Sequence, residues 1–423
     1  YSVNINNLEI IELTSREGTE SSPKVSPDGS KISFIGSIWS KNFYNDRKMY
    51  IIDSDGSNLK CITTDLDQTP GAPFWSENSS GVYFNVREFG QSNVYYANLS
   101  GQISKVSQGN HMLTMNDLVG NNAVATWTNP SNPSDIVSFS VKKFNKIDRL
   151  TDVNNDIFYN VEFGKVEEIN YESVDGKIVQ GWVVKPPQFD SKKKYPLVLR
   201  IHGGPHSMYN VGFNYNFQLH AAQDQVVLYT NPRGSTGYGY DFANAIQNAY
   251  PGNDYDDIMA GVDEIISRGY IDENKMYVYG GSGGGVLTSW IVGKTDRFAA
   301  ASVNYPVTNW FSFVGTTDGA GWYYNFKKFP WEDPTEHIKR SPLMYVGNVK
   351  TPTMLMCGEE DLRTPISQTE EYYQALKMNK VPTVMIRFNE EYHGTSTKPS
   401  NFLRTHGYIN AWFNKHSTKN KVE

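Results

Sequence analysis

The sequence is poor in cysteine and lacks both long apolar runs and strongly basic stretches. Its only two cysteines, Cys61 and Cys357, are far apart, which favours two buried free thiols over a disulfide. No apolar run approaches the length of a membrane span, and a formal net charge of −6 argues against nucleic-acid binding. We therefore expect a globular, cytoplasmic protein, although a signal peptide already removed would leave no trace.

The first 160 residues contain an internal repeat of short strands. Residues 23–34 align with residues 73–84, and residues 49–56 align with residues 94–101. A weaker third copy covers residues 135–151. Periods of about 40–50 residues with several short strands each are typical of β-propeller blades. The sequence thus predicts an all-β, propeller-like domain over residues 1–160 with about three blades.

Three blades are fewer than the four or more that usually close a propeller. The chain also begins with what resembles the end of a blade, at residues 9–14. We therefore expect this propeller to be incomplete, with blades missing upstream. An open β-domain that exists in its own right is the alternative.

Residues 161–423 show a different pattern, in which strands alternate with helices. A hairpin around Asp175-Gly176 comes first. The later strands are predicted at 196–201, 226–229, 276–279, 300–303, 353–357 and 383–388, and helices at 254–267, 368–377 and 401–414. This alternation predicts a mostly parallel sheet with helices on both faces. Antiparallel strands followed by parallel ones give the order of the α/β-hydrolase fold.

The pentapeptide Gly280–Gly284 separates a predicted strand from a predicted helix and contains G-x-S-x-G with Ser282 at its centre. In this context the motif predicts a nucleophile elbow. A serine on so tight a turn adopts unusual backbone angles, and its neighbours have no room for a Cβ. Taken alone, the pentapeptide could equally be a glycine-rich turn that binds phosphate or packs tightly.

A nucleophilic serine needs a base, and the base needs a carboxylate that orients it. In α/β-hydrolases the chain order is Ser, acid, His, with the last two on loops after later strands. Asp361 and His393 occupy such loops, so Ser282, Asp361 and His393 are the predicted catalytic residues. Glu359 and Glu360 are alternatives for the acid, although solvated surface carboxylates are their simpler interpretation.

The negative charge that develops on an attacked carbonyl requires backbone donors placed in advance. The Gly283 amide, at the start of the helix after the nucleophile, is one predicted donor of this oxyanion hole. The second is expected from the His202-Gly203-Gly204-Pro205 loop, which matches the HGGG type. Gly204 is the predicted donor, with Gly203 as the alternative, and His202 is expected to support the loop by hydrogen bonding.

Together these motifs resemble the prolyl oligopeptidase family of serine peptidases, most of all its acylaminoacyl-peptidase branch. The residues that carry the resemblance are His202–Pro205, 231–239, 253–257, Gly280–Gly285, 358–363 and 391–394. The resemblance implies a Ser–Asp–His hydrolase without a cofactor or metal. It also implies that short peptides reach the site through or beside a propeller that excludes folded proteins.

Two positions are interpreted through this resemblance. Arg363 matches the place where relatives put an arginine on a substrate backbone carbonyl, while a surface or interdomain salt bridge is its simpler interpretation. Gly283 stands where relatives usually carry an aromatic or larger residue, which leaves substrate preference open. Residues 1–160 show no acidic pair suited to a free ammonium group, so a dipeptidyl-peptidase assignment has no support from them.

The expected function is therefore a serine peptidase that hydrolyses short peptides through an acyl-enzyme. The same three residues could instead serve an esterase or an isopeptidase acting on a specialised small peptide. A third hypothesis is a propeller-based binding protein whose hydrolase domain is inactive. The expected partner is a short peptide rather than nucleic acid or membrane. The choice between exo- and endopeptidase, and any homo-oligomer, stay open.

Overall fold

The computed structural model describes residues 1–417 and contains two compact units. The first unit comprises Tyr1–Val161 together with the short segments Asn210–Asn214 and Thr236–Asp241. The second comprises Glu162–Tyr209, Tyr215–Ser235 and the chain from Phe242 onward. The two short segments cluster with the first unit even though the sequence around them has the strand–helix pattern of the second.

The first unit is built from three groups of four antiparallel strands, each paired in chain order. The first group contains Gly18–Val25, Lys31–Ile38, Lys48–Asp53 and Lys60–Cys61. The second contains Phe74–Trp75, Gly81–Glu88, Gln91–Asn98 and Ile103–Lys105, and the third contains Met112–Val119, Asn122–Asn129, Asn132–Ser140 and Asp148–Arg149. The remaining elements are the strands Ser2–Val3 and Ile10–Ile11, which pair with each other, and the helix Asn155–Phe158.

The alternation along the strand Gly81–Glu88 explains how these groups pack. Val82, Phe84 and Val86 are buried in one hydrophobic cluster together with side chains of the first group. Tyr83 belongs to a second cluster, shared with side chains of the third group. Because successive side chains of a strand point to opposite faces, one strand contributes to both cores. The blade-like repeat predicted from the sequence is confirmed.

The second unit contains one eight-stranded sheet with the spatial order β1-β2-β4-β3-β5-β6-β7-β8. The strands are β1 Val166–Glu172, β2 Ile178–Val184, β3 Tyr195–Ile201, β4 Val226–Asn231, β5 Ile271–Gly281, β6 Ala300–Asn304, β7 Thr353–Gly358 and β8 Thr383–Phe388. Strand β2 pairs antiparallel with β1 and β4, and all other pairs are parallel. This is the predicted α/β-hydrolase arrangement.

Helices connect the strands of this unit. They are α1 Tyr215–Ala221, α2 Tyr240–Asn244, α3 Asn253–Ser267, α4 Gly283–Lys294, α5 Trp310–Phe313, α6 Thr335–Lys339, α7 Ile366–Met378 and α8 Pro399–Lys415, with 3-10 turns at Ala320–Asn325 and Pro342–Asn348. The first two residues of α2 cluster with the first unit. Tyr277 and Tyr279 of β5 pack in one cluster with α8. Met276 and Val278, which alternate with them, are also buried, so both faces of the sheet are covered.

The parallel strands bring distant loops together. The carboxyl ends of parallel strands meet at one edge of a sheet, where α/β folds place their ligands. Strands β3, β5, β6, β7 and β8 end there at Ile201, Gly281, Asn304, Gly358 and Phe388. The segments that follow these strands contain every residue predicted to act in catalysis.

Both cysteines are free, but only Cys357 is buried. Cys61 is half-buried, because the short strand Lys60–Cys61 lies at the edge of its sheet. The expectation of two buried thiols is therefore wrong for Cys61. Within residues 1–417, no helix combines the length and apolar character needed to cross a membrane.

The buried His220 makes the stability of the second unit depend on pH. Its Nδ1–H donates to the Gln225 Oε1 atom at 2.7 Å, and its Nε2 accepts from the Tyr279 hydroxyl at 3.0 Å. Burial lowers the pKa of His220 from 6.5 to about 4. As the pH falls, the imidazole therefore takes up a proton in the unfolded chain before it does so in the folded chain. The stability that the neutral His220 contributes is present above pH 6.5 and is lost as the pH falls towards 4.

We expect that lowering the pH from 7.5 to 5 destabilises the wild-type protein more than a His220→Gln variant, which has no proton to take up at this position. Each unit of pKa difference corresponds to about 1.4 kcal/mol. Urea unfolding followed by tryptophan fluorescence at both pH values measures the difference. Equal losses of stability in the two proteins would contradict this assignment.

Candidate active site

Ser282 lies on a sharp turn between β5 and α4. Its backbone angles are φ +58° and ψ −122°, a conformation that costs a residue with a side chain about 1–3 kcal/mol. Neighbouring glycines make the turn feasible. A Cβ on Gly281 would overlap the Tyr305 ring, and a Cβ on Gly284 would overlap the Ile201 carbonyl. The predicted elbow is present, and it raises the serine hydroxyl at the end of the sheet.

The structure brings Ser282, His393 and Asp361 into one hydrogen-bonded chain. The Ser282 Oγ lies 2.9 Å from His393 Nε2, and His393 Nδ1 lies 2.9 Å from Asp361 Oδ2 and 3.1 Å from Oδ1. A carboxylate only accepts hydrogen bonds, so Nδ1 carries the proton of the neutral imidazole. Nε2 is then free to accept the serine proton, as a general base must.

Asp361 is held by three further donors. The backbone amides of Arg363 and Thr364 each donate to Oδ1 at 2.9 Å, and the Thr364 hydroxyl donates to Oδ2 at 3.0 Å. Its side chain is fully buried. Glu359 and Glu360, the alternatives for the acid, are exposed. The carboxylate in contact with His393 is that of Asp361, and it is fixed on both oxygens.

Tyr305 and Thr364 confine the imidazole of His393. The Tyr305 ring meets the His393 ring edge-on with centroids 5.2 Å apart. Thr364 Oγ1 lies 3.4 Å from His393 Nδ1. Burial raises the pKa of Tyr305 above its ordinary value, so its phenol stays neutral beside the imidazole. Neither residue was predicted as part of the site. Tyr305, Thr364 and His393 follow three different strands, β6, β7 and β8, and nothing in the local sequence marks contacts among them.

The two predicted oxyanion donors lie beside one another. Gly283 is the first residue of α4, so its amide has no acceptor within the helix. A Cβ on Gly283 would lie only 3.0 Å from the Gly204 nitrogen. Gly204 has φ +124°, which side chains rarely permit. A Cβ on Gly203, the alternative donor, would lie 3.3 Å from the Ser282 Cβ, so the whole loop packs against the elbow.

His202 contacts the loop rather than the nucleophile. Its Nδ1 lies 2.7 Å from the Gly203 carbonyl oxygen and its Nε2 lies 3.0 Å from Ser235 Oγ. Desolvation lowers the pKa of His202 to about 4, so the ring is neutral at physiological pH. These contacts agree with the expected supporting role in the loop.

Arg363 forms an ion pair with Asp318 on the loop after α5. Its Nε and Nη2 both approach the Asp318 carboxylate, and both side chains are about half exposed. The pair is reinforced by Asp318 N–H donating to Leu362 O at 3.0 Å and by the Thr317 hydroxyl donating to Arg363 O at 2.8 Å. The salt bridge considered as an alternative is thus present, within the second unit. A role in substrate binding stays a prediction.

Known proteins are similar to this chain in sequence. Residues 211–420 match the sequence model described as the prolyl oligopeptidase family. The uncharacterized peptidase YuxL of Bacillus subtilis is 36% identical over 391 residues, which cover 87% of this chain and 59% of that protein. Dipeptidyl-peptidase 5 of Porphyromonas gingivalis is 28% identical, with 94% of this chain and 60% of that protein covered.

A solved structure gives the same result for the fold. The acylaminoacyl peptidase of Pyrococcus horikoshii superposes with a TM-score of 0.87 at 26% identity, covering 99% of this chain and 66% of that one. This chain spans about three fifths of the length of the curated relatives it matches. By its motifs, its fold and its relatives, the region of residues 211–420 belongs to the prolyl oligopeptidase family, and the fold of the chain is similar to that of an acylaminoacyl peptidase.

Proposed function

We propose that this chain acts as a serine peptidase on short peptides and proceeds through an acyl-enzyme. The single observation that carries the proposal is the continuous chain of hydrogen bonds from Ser282 through His393 to Asp361. The family relationship supports the same reaction class. The acylaminoacyl peptidase among the similar structures suggests peptides with a blocked amino end as first substrates to examine.

In the acylation half-reaction, Ser282 Oγ attacks the scissile carbonyl while His393 Nε2 takes the hydroxyl proton. Asp361 holds the Nδ1–H of the ring and stabilises the imidazolium that forms. The amides of Gly204 and Gly283 donate to the oxyanion of the tetrahedral intermediate. As the C–N bond breaks, His393 returns its proton to the leaving amine, and the acyl group stays on Ser282.

Deacylation repeats these steps with water. His393 takes a proton from the water that attacks the ester, and then gives it to Ser282 Oγ as the C–O bond breaks. The products are a carboxylic acid and the regenerated hydroxyl. The leaving group does not take part in this second half, so an ester substrate uses the same residues. A peptidase can therefore hydrolyse p-nitrophenyl esters as well, and turnover of peptide anilides is the result that distinguishes it from the alternative esterase.

We expect Ser282→Ala to lower kcat for acylated aminoacyl p-nitroanilides by about 10⁴-fold or more, because the nucleophile is removed. Ser289→Ala is a matched control. Ser289 is a buried serine of α4, the helix that follows Ser282, and its hydroxyl forms hydrogen bonds with the Gly285 and Val286 carbonyls of that helix. Steady-state kinetics and circular dichroism should show an active control and an inactive but folded Ser282 variant. Turnover that survives Ser282→Ala would refute the proposal.

We also propose that Arg363 donates to a backbone carbonyl of the substrate, in competition with Asp318. If so, Arg363→Gln should raise KM about tenfold at nearly constant kcat, since a charge-assisted hydrogen bond to bound substrate is lost. Asp318→Asn should lower KM about two- to fivefold, the range expected when an exposed ion pair no longer holds the guanidinium. If the pair served only to join two loops, both variants would change KM in the same direction.

A further inference from the structure

We infer that Tyr250 is a positioning residue for the oxyanion site and that its hydroxyl holds Gly283, the first residue of α4, in place. The inference rests on the proposed function, because it concerns the amide assigned there to the oxyanion. Tyr250 lies on the segment before α3, far in sequence from both the elbow and the His202–Pro205 loop. Three observations support the assignment.

The first observation is a direct hydrogen bond. Tyr250 is 1% exposed, and its hydroxyl donates to the Gly283 carbonyl oxygen at 2.9 Å. Its ring packs edge-on against Trp310, with centroids 5.8 Å apart. Burial raises the pKa of Tyr250 well above its ordinary value, so the phenol remains a hydrogen-bond donor. This hydrogen bond is thus shielded from solvent, next to the residue that follows Ser282.

The second observation concerns space. A Cβ placed on Gly283 would lie 3.0 Å from the Tyr250 hydroxyl oxygen and 3.0 Å from the Gly204 nitrogen. The hydroxyl and the Gly204 amide therefore border the same small volume beside Gly283. Since Gly283 has no side chain, the tyrosine hydroxyl fills the room that a larger residue after the nucleophile would need. The glycine at position 283 is thus matched by a tyrosine hydroxyl in the space that a side chain would occupy.

The third observation is that the start of the helix is rich in glycine and gives this amide little intrinsic support. Gly283, Gly284 and Gly285 form the start of α4, and each glycine costs a helix about 1 kcal/mol relative to alanine. The carbonyl of the peptide unit between Ser282 and Gly283 accepts from the Val286 N–H at 2.9 Å. The two neighbouring peptide units are fixed by residues outside the helix. The Ser282 N–H donates to the Asn304 carbonyl at 3.1 Å, and the Gly283 carbonyl accepts from Tyr250. Between these two bonds lies the Gly283 N–H.

Tyr250→Phe tests the inference, because it removes the hydroxyl and keeps the ring. Tyr372→Phe is the matched control. Tyr372 is fully buried, and its hydroxyl donates to the Ser289 carbonyl at 3.2 Å, on the same helix but away from its first turn. Both variants lose one buried tyrosine hydroxyl, so a general effect on folding should appear equally in both.

We expect Tyr250→Phe to lower kcat about three- to tenfold with KM within about twofold, as the loss of one neutral hydrogen bond predicts. The affinity for a peptidyl trifluoromethyl ketone, which forms an oxyanion on Ser282, should fall by the same factor. Tyr372→Phe should leave both quantities within about twofold of the wild type. Equal losses in the two variants, or an unchanged kcat in Tyr250→Phe, would overturn the inference.

Gly283→Ala examines the same contact from the other side. The added methyl group would displace the Tyr250 hydroxyl or the Gly204 amide, so kcat should fall here as well. In the double variant with Tyr250→Phe, the two losses should be less than additive, because they disturb one contact. A wild-type protein without turnover would overturn the proposed function, and the inference with it, whereas a failure of the Tyr250 variants alone leaves that function intact.

Discussion

The site depends on the parallel register of β3, β5, β6, β7 and β8. Because these strands run in the same direction, the residues that follow them meet at one edge. Ser282, Asp361 and His393 are separated by 32 to 111 positions along the chain but lie within hydrogen-bond distance of their partners. The sheet is buried on both faces, so its strands cannot shift without exposing apolar surface. This rigidity holds three loops so that Ser282, His393 and Asp361 form one chain of hydrogen bonds.

The strained turn at Ser282 shows how the surrounding packing holds the nucleophile. The positive φ of Ser282 would relax if the elbow could move. The glycines around it have no side chain, so the neighbouring backbone packs closely against the elbow and keeps it in place. The Ile201 carbonyl, Tyr305 and the Gly204 amide then occupy the space that side chains would take. The strain is thus offset by contacts from the carboxyl ends of β3 and β6 and the segments that follow them, and it leaves the hydroxyl raised towards His393.

Much of this arrangement could be predicted from the sequence, since it rests on local signals. Strand–helix alternation indicates the sheet, G-x-S-x-G indicates the elbow, and the order of Asp361 and His393 after later strands indicates their roles. Tyr305, Asp318 and Tyr250 were missed because their contacts join segments that are distant along the chain, and they belong to no recognisable motif. The half-buried Cys61 was mispredicted for a related reason, as exposure at a sheet edge depends on neighbours in space.

The most direct test of the proposed roles of Ser282, His393 and Asp361 is to label the protein with a fluorophosphonate and to locate the adduct by peptide mapping. In the wild-type protein, the adduct should lie on Ser282 alone, because this hydroxyl faces an imidazole nitrogen whose ring is held by a carboxylate. In a folded His393→Ala variant, labelling should be slower by orders of magnitude. An adduct on another residue, or equal labelling rates in the two proteins, would contradict the account.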